Sequence, residues 1–310
     1  MSSFSSGMNP DVVKTALDSV FFQEFNGRLN PGYVDATSEI VFKQDTVDNA
    51  AVIQEVFKGT GLWGNKPEEG DVPQATPRVD NQITFNVTEF AQSVDVTRNF
   101  FDDNMHGVYE GMVRDMAETG RITRDNNAFG IFRNAFTTTL TADGVALVSD
   151  AHVTLSGDTV DNKLTDALSE ASLEGALVAM AEQKAQDGTI RGQMANTLLV
   201  PPTLYKEAVE IVESEQRSGT ADNDINVYSS KYNIFVATSP YLGAVAGGSD
   251  TAWFLLGRNH SVTRWVRRGI ETTLVNWDTQ RNNNYIYKGS FREVLGATDY
   301  SGLIGSDGTT

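Results

Sequence analysis

The chain contains no cysteine. That absence removes disulfides, thiolate metal ligands and thiol nucleophiles together, and leaves the sequence indifferent to the redox state of its surroundings. Histidine is nearly as scarce. His106, His152 and His260 lie in unlike contexts, none with a second histidine at metal-ligand spacing, so they read as surface or hydrogen-bonded side chains. No apolar run approaches the roughly 20 residues that a membrane-spanning helix needs. The opening MSSFSSGMNP lacks the basic and apolar regions of a secretory signal, so synthesis in the cytoplasm is expected.

Positive charge is also in deficit, with 24 Lys and Arg against 41 Asp and Glu and a net charge of −17. The deficit is uneven: residues 251–310 carry seven basic against five acidic side chains, and the other 250 carry 17 against 36. A surface this acidic repels phosphate, which excludes sequence-independent nucleic-acid binding by the molecule as a whole. It also opposes self-association unless specific contacts overcome the repulsion. At 310 residues, 40% apolar and 21% charged, the chain is an ordinary folded protein with one large or two modest domains.

Catalytic templates are missing as well. Ser239, in TSPYLG, does not sit in the Gly-x-Ser-x-Gly turn of a nucleophile elbow. The glycines of GTG (59–61) and GGSD (247–250) lack the lysine and helix start of a phosphate cradle. Asp102 with Asp103, and Glu68 with Glu69, are sequence neighbours and cannot face one another as an acid and base on a helix. DTVDN (158–162) has no downstream glutamate to complete a calcium loop. No catalytic, cofactor-binding or metal-binding residue emerges.

What the chain does have is a long excursion. Residues 58–80, KGTGLWGNKPEEGDVPQATPRVD, hold Gly59, Gly61, Gly64, Gly70, Pro67, Pro73 and Pro77, so neither a helix nor a central strand can pass through them. VIQEVF (52–57) before and ITFNV (83–87) after read as two strands of a hairpin arm with a large aromatic, Trp63, near its tip. An ordered excursion of this length is usually functional. Here it reads as a reach toward another subunit.

Upstream, Asn9 reads as an N-cap and Pro10 as a first-turn proline of a helix that carries Val13, Leu17, Val20, Phe21 and Glu24 and stops at Gly27. Its late aromatics, Phe21, Phe22 and Phe25, could cover its own domain or a neighbouring subunit. Downstream, residues 93–99 read as a short strand. Apolar side chains at steps of three and four then predict one helix from 102 to about 136, roughly 50 Å long. Gly107, Gly111, Gly120 and Gly130 weaken it by about 1 kcal/mol each relative to Ala, which suggests close packing against its backbone. A mixed section follows: a helix ending at Gly188, the strand NTLLV, a helix over 203–216, and strands in YNIFVATSPYL and TAWFLLG. From Val262 onward the pattern alternates repeatedly, predicting long strands. The fold class is α+β, with residues 165–260 as a separate lobe.

One basic cluster stands out in this acidic chain: Arg258, Arg264, Arg267 and Arg268, interleaved with Trp265. It reads either as a strand edge protected by charge, or as an interface patch meeting the acidic surface of the next copy, or as a nucleic-acid patch.

The order of these elements resembles that of tailed-bacteriophage major capsid proteins of the Hong Kong 97-type fold. DGVALVSDAH (143–152), LTDALSEASLEGAL (164–177), TLLVPPTLYKEAVEIV (197–212) and ATSPYL (237–242) resemble its Mu-type head-subunit branch. The resemblance implies an N-terminal arm (1–30), an extended hairpin loop (50–95), a peripheral domain (31–49, 96–164 and 261–310) and an axial domain (165–260). It implies a structural subunit without enzymatic activity or cofactor, made in the host bacterial cytoplasm. Such subunits assemble into the hexamers and pentamers of an icosahedral head around double-stranded DNA, with portal, scaffold and cement or decoration proteins as further partners. On this reading Phe21, Phe22, Trp63, Lys66, Arg264, Trp265, Arg267 and Arg268 are candidate contacts between subunits. Some family members crosslink a lysine of the extended loop to an asparagine of a neighbour. Lys66 lies in that region, but no matching asparagine can be placed. The competing readings are an encapsulin-like compartment, which resembles the same fold, and a monomeric hydrolase.

Overall fold

The computed structural model describes residues 10–26, 38–75, 77–97, 99, 106–214, 226, 228–276 and 284–309. In chain order these form α1 (Pro10–Phe25), a single turn α2 (Ser38–Val41), β1 (Lys43–Thr46), a hairpin of β2 (Ala51–Phe57) and β3 (Val79–Asn86), then β4 (Thr88–Thr97) and α3 (His106–Arg133). Short strands β5 (His152–Val153), β6 (Thr159–Val160) and β7 (Lys163–Leu164) lead to α4 (Glu170–Glu182), β8 (Ala195–Val200), α5 (Tyr205–Val212), β9 (Phe235–Thr238) and β10 (Trp253–Gly257). The chain closes with the long strands β11 (Val262–Val275) and β12 (Asn284–Ala297) and the short β13 (Leu303–Ser306).

Two sheets carry the architecture. One has the order β1-β11-β12-β4, with β1 parallel to β11 and the other pairs antiparallel. The other has the order β7-β13-β10-β8-β9, antiparallel within and parallel at both edges. The class is the expected α+β.

Helix α1 follows from the four-residue spacing of Val13, Leu17, Phe21 and Phe25, all buried. Side chains four apart share one face, and burying each contributes about 1.5–3 kcal/mol. That face lies on Tyr109, Val113 and Met116 of α3 and on Val96 and Tyr287 of the first sheet. Asp18 fixes the helix in place, accepting from the hydroxyls of Thr272 at 2.7 Å and Tyr287 at 2.8 Å. Of the two readings of the late aromatics, Phe21 therefore takes the intramolecular one. The Asn9 cap and Gly27 stop lie outside the described residues.

Helix α3 is 28 residues long, about 42 Å at 1.5 Å per residue. It ends at Arg133 rather than near Phe136, where the backbone turns on Asn134; residues 101–105, with Asp102 and Asp103, and the His106 side chain lie outside the described residues. Its first half packs on α1, and its second half buries Ala128, Phe129 and Phe132 against Leu199, Phe254 and Leu303 of the second sheet. One helix thus joins two cores. Close packing does not account for its glycines: a Cβ on Gly120 would make ordinary contact with the Phe25 ring at 3.6 Å, one on Gly130 would lie 3.4 Å from the Arg133 guanidinium of the same helix, and Gly107 and Gly111 face open space.

The mixed section folds around the second sheet. Ser169 caps α4, accepting from the Ser172 N–H, and Leu173, Ala176, Leu177 and Met180 bury against Leu198, Trp253 and Leu255. The helix stops at Glu182, and Gly188 sits in the turn that follows, at φ +78°. The expected helix over 203–216 is shorter, because Pro202–Leu204 forms a 3-10 turn ahead of it.

Two boundaries move. The free hairpin ends at Asn86, short of 95, because β4 pairs with ten residues of β12 and Phe90 stacks on Phe291 at 5.2 Å. The C-terminal strand β13 belongs to the second sheet rather than the first: Leu303 and Ile304 pair with Leu256 and Leu255 and are fully buried.

Candidate functional site

The arm has a root, a tie and a tip. At the root, β2 and β3 pair over Ala51–Asn86 through Phe57–Val79, and Phe85 stacks on Trp265 with ring centroids 5.0 Å apart. Gly296 on the neighbouring strand makes room for that ring, since a Cβ there would fall 2.2 Å from a Phe85 carbon. Adjacent strand residues point to opposite faces. Trp265 therefore faces the arm while Arg264 faces α2 and α3.

Arg264 sits in a buried ionic cluster. Its Nε lies 3.6 Å from Glu293, which also accepts from Arg124 at 3.0 Å, and its guanidinium lies over the Phe42 ring at 5.9 Å. Arg124 pairs in turn with Glu39. Burial pushes the Arg264 guanidinium down from its usual range, as does the charge of Arg124, while Glu293, Glu39 and Asp125 pull it back up.

Four residues past the arm's outgoing strand, the chain touches the turn between α4 and β8. Gly61 N–H donates to Asp187 at 3.2 Å, and Asp187 also accepts from Thr189 N–H and pairs with Arg191. Gly59 needs its φ of +83°, and a Cβ on it would approach Asp187 to 2.9 Å. Beyond this tie the tip is bare. Leu62 is 86% exposed, Trp63 97% and Val72 74%. Lys66 bends back, its Nζ donating to the carbonyls of Pro67 at 3.4 Å and Glu68 at 3.5 Å.

The candidate contact residues thus divide. Trp63 and Lys66 are exposed on the arm, Phe22 is half-buried beside Phe21, and Arg267 and Arg268 are half-buried. Phe21, Arg264 and Trp265 are buried within the subunit, in the α1 core, the ionic cluster and the arm root respectively. Arg264 does not guard a strand edge, because β1 covers β11 at residues 263–266, whereas Arg267 and Arg268 lie just past that pairing. The arginines do not form one patch: Arg258 is exposed, Arg264 is buried, and Arg268 pairs with Glu89 at 2.6 Å and Glu271 at 3.4 Å. Phe85, Asp187 and Glu293, which organise the site, were not singled out from sequence. Only Phe85 left a trace, as a member of the alternating ITFNV.

Among the described residues no group of three or more His, Asp and Glu could hold a metal ion, and no helix is long and apolar enough to cross a membrane. His152 is buried and hydrogen-bonded through Nδ1 to Asp143 at 2.7 Å. His260 is buried as well, its Nδ1 accepting from Val262 N–H at 3.2 Å.

A family model of phage capsid proteins matches residues 80–305 of this chain. The chain belongs to that family. As a capsid protein it is a structural subunit, and it is a component of the virion shell. Its fold is that of other capsids. The capsid of an empty GTA particle shares 12% identity, covers 92% of each chain and has a TM-score of 0.57. The capsid of Ralstonia phage GP4 shares 13% identity over 86% of this chain and 87% of that one, at 0.55. A virus-like particle from Pyrococcus furiosus shares 11% identity over 94% and 98%, at 0.53. At these identities the likeness is one of fold, which is the Hong Kong 97-type fold the element order resembles. No curated protein sequence matches the chain.

Proposed function

We propose that the subunit assembles through its hairpin arm into the hexamers and pentamers of an icosahedral phage head enclosing double-stranded DNA. The observation that carries this reading is the arm itself. Its root is packed into the sheet by Phe85 on Trp265, while its tip presents Leu62, Trp63 and Val72 to solvent. Burying one large side chain on a neighbour contributes about 2–3 kcal/mol. Contacts of that size, repeated over every copy of a shell, give a stable container whose single junctions can still be corrected during assembly.

The domain division follows the two sheets. The arm is residues 51–86, the peripheral domain holds α1, α3 and the first sheet, and the axial domain is built on the second sheet, including β7 and β13. Portal, scaffold and cement or decoration proteins are the further partners, and the order of motifs supports the Mu-type branch. The net charge of −17 supports DNA held as contents rather than bound as a ligand. Such a subunit is made in the host bacterial cytoplasm. The role has no turnover. Lys66 hydrogen-bonds to its own tip carbonyls, which favours a non-covalent arm contact.

Deleting residues 60–76 tests this. The subunit should still fold and fail to form particles; normal shells from the deletion would overturn the arm's role. Mass spectrometry of purified particles separates the phage head from an encapsulin-like compartment, since stoichiometric folded enzyme cargo would favour the compartment.

A further inference from the structure

The face of the first sheet that carries α1 and α3 also holds a cavity of about 270 Å³. Its walls are Phe21 and Met116 from the helices and Phe90, Ile270 and Phe291 from the sheet, with Gln92 at the rim. Gly120 and Gly289 also line it, and a Cβ on Gly289 would only just touch the Met116 methyl, at 3.4 Å. The volume falls below the roughly 300–1,000 Å³ of a drug-sized ligand site, and suits one large side chain. An aromatic and thioether lining is the surface on which an indole ring packs most favourably.

We propose that this cavity receives Trp63 from the arm of a second copy of the chain. The inference rests on the shell reading above and names where the arm tip lands. Three observations support the choice of occupant. The chain presents a tryptophan that is 97% exposed, with Leu62 beside it at 86%. The subunit's own arm cannot supply it, because Gly61 is tied to Asp187 and two further residues reach only about 7 Å. The cavity walls include nothing from the Asp187 turn. The charges also agree. The tip carries Glu68, Glu69 and Asp71 against Lys66. The one acidic side chain lining the cavity, Glu89, is already paired with Arg268 at 2.6 Å, and Arg121 follows the lining residue Gly120. An acidic tip therefore meets no uncompensated carboxylate there.

The native absence of cysteine makes the test unambiguous. Leu62→Cys leaves Trp63 in place, and Gln92→Cys or Thr123→Cys marks two sides of the cavity rim. Each pair is made in one chain and, separately, with the two cysteines on different chains co-assembled with unmodified subunits. Particles are oxidised and run without reductant. The expected result is linkage between chains from at least one pair, about tenfold or more above the single-cysteine controls and abolished by Trp63→Ala. Particles that form normally and show only control-level linkage from both pairs would overturn the cavity assignment and leave the shell reading intact. Failure of the unmodified chain to form any particle would overturn the shell reading, and the cavity assignment with it.

Discussion

Trp265 and Trp63 sit in the same chain and meet opposite fates. Trp265 is 2% exposed, closed over by Phe85 on one side of the first sheet. Trp63, at the far end of the same ribbon that Phe85 anchors, is 97% exposed. A large aromatic marks surface that must be covered, but it does not say by whom. Position decides that. Trp265 has a paired strand on each flank, β1 and β12, whereas a side chain at the end of a two-stranded excursion has none. Helix α1 makes the same point from the other direction, since its phenylalanines pack mainly on their own sheet and on α3.

The sharpest way to break this comparison is to truncate both tryptophans. Trp265→Ala should cost the isolated subunit about 3–5 kcal/mol, read as a fall in its unfolding midpoint. Trp63→Ala should leave that midpoint unchanged and reduce particle yield. Equal losses of subunit stability would show that the two rings have the same role. Glu293→Gln sharpens the contrast from within the body, because it leaves the buried Arg264 without its carboxylate. A loss of about 3–5 kcal/mol is expected by chemical denaturation, and a loss below about 1 kcal/mol would contradict the cluster.

Acid should act on the body and spare the arm, which has no histidine. Burial pushes His260 down to about 4, as does the nearby Lys43 ammonium, against a hydrogen bond to Val41 that pulls it up. The unfolded chain, with an ordinary histidine near 6.5, binds the proton first. Stability is therefore fully present above about pH 6.5 and falls as the pH drops toward 4, by up to about 3 kcal/mol. His260→Gln should flatten that slope in urea titrations at stepped pH; an unchanged slope would assign it elsewhere. The smallest effect is expected at the arm root. Gly296→Ala forces its new Cβ into Phe85 and should cost about 1–3 kcal/mol, partly relieved by Phe85→Ala in the same chain. Strict additivity of the two would mean that the contact at the root is not made.

The sequence shows the arm plainly, because glycine and proline break periodicity and Trp63 has no local partner. It also shows α4 and the alternating strands β11 and β12, whose patterns are local. It does not show that residues 88–95 leave the arm for the sheet, since their partners on β12 lie about 200 residues away and only tertiary pairing distinguishes a sheet strand from a hairpin strand. Strand β1 is exposed at all four residues and has no apolar pattern to betray its parallel pairing with β11. Arg264 looked like surface charge because lysine and arginine usually are. Its burial depends on Glu293 and Arg124, which are distant in sequence and become neighbours only once α3 crosses the sheet. Asp187 is invisible for the same reason.

The central claim is that this chain is completed by copies of itself. Negative-stain microscopy of the expressed and purified full chain, with sedimentation on the same sample, tests it directly. The account predicts closed shells of uniform diameter. A stable 33.8 kDa monomer that stays dispersed at every concentration reached would contradict it.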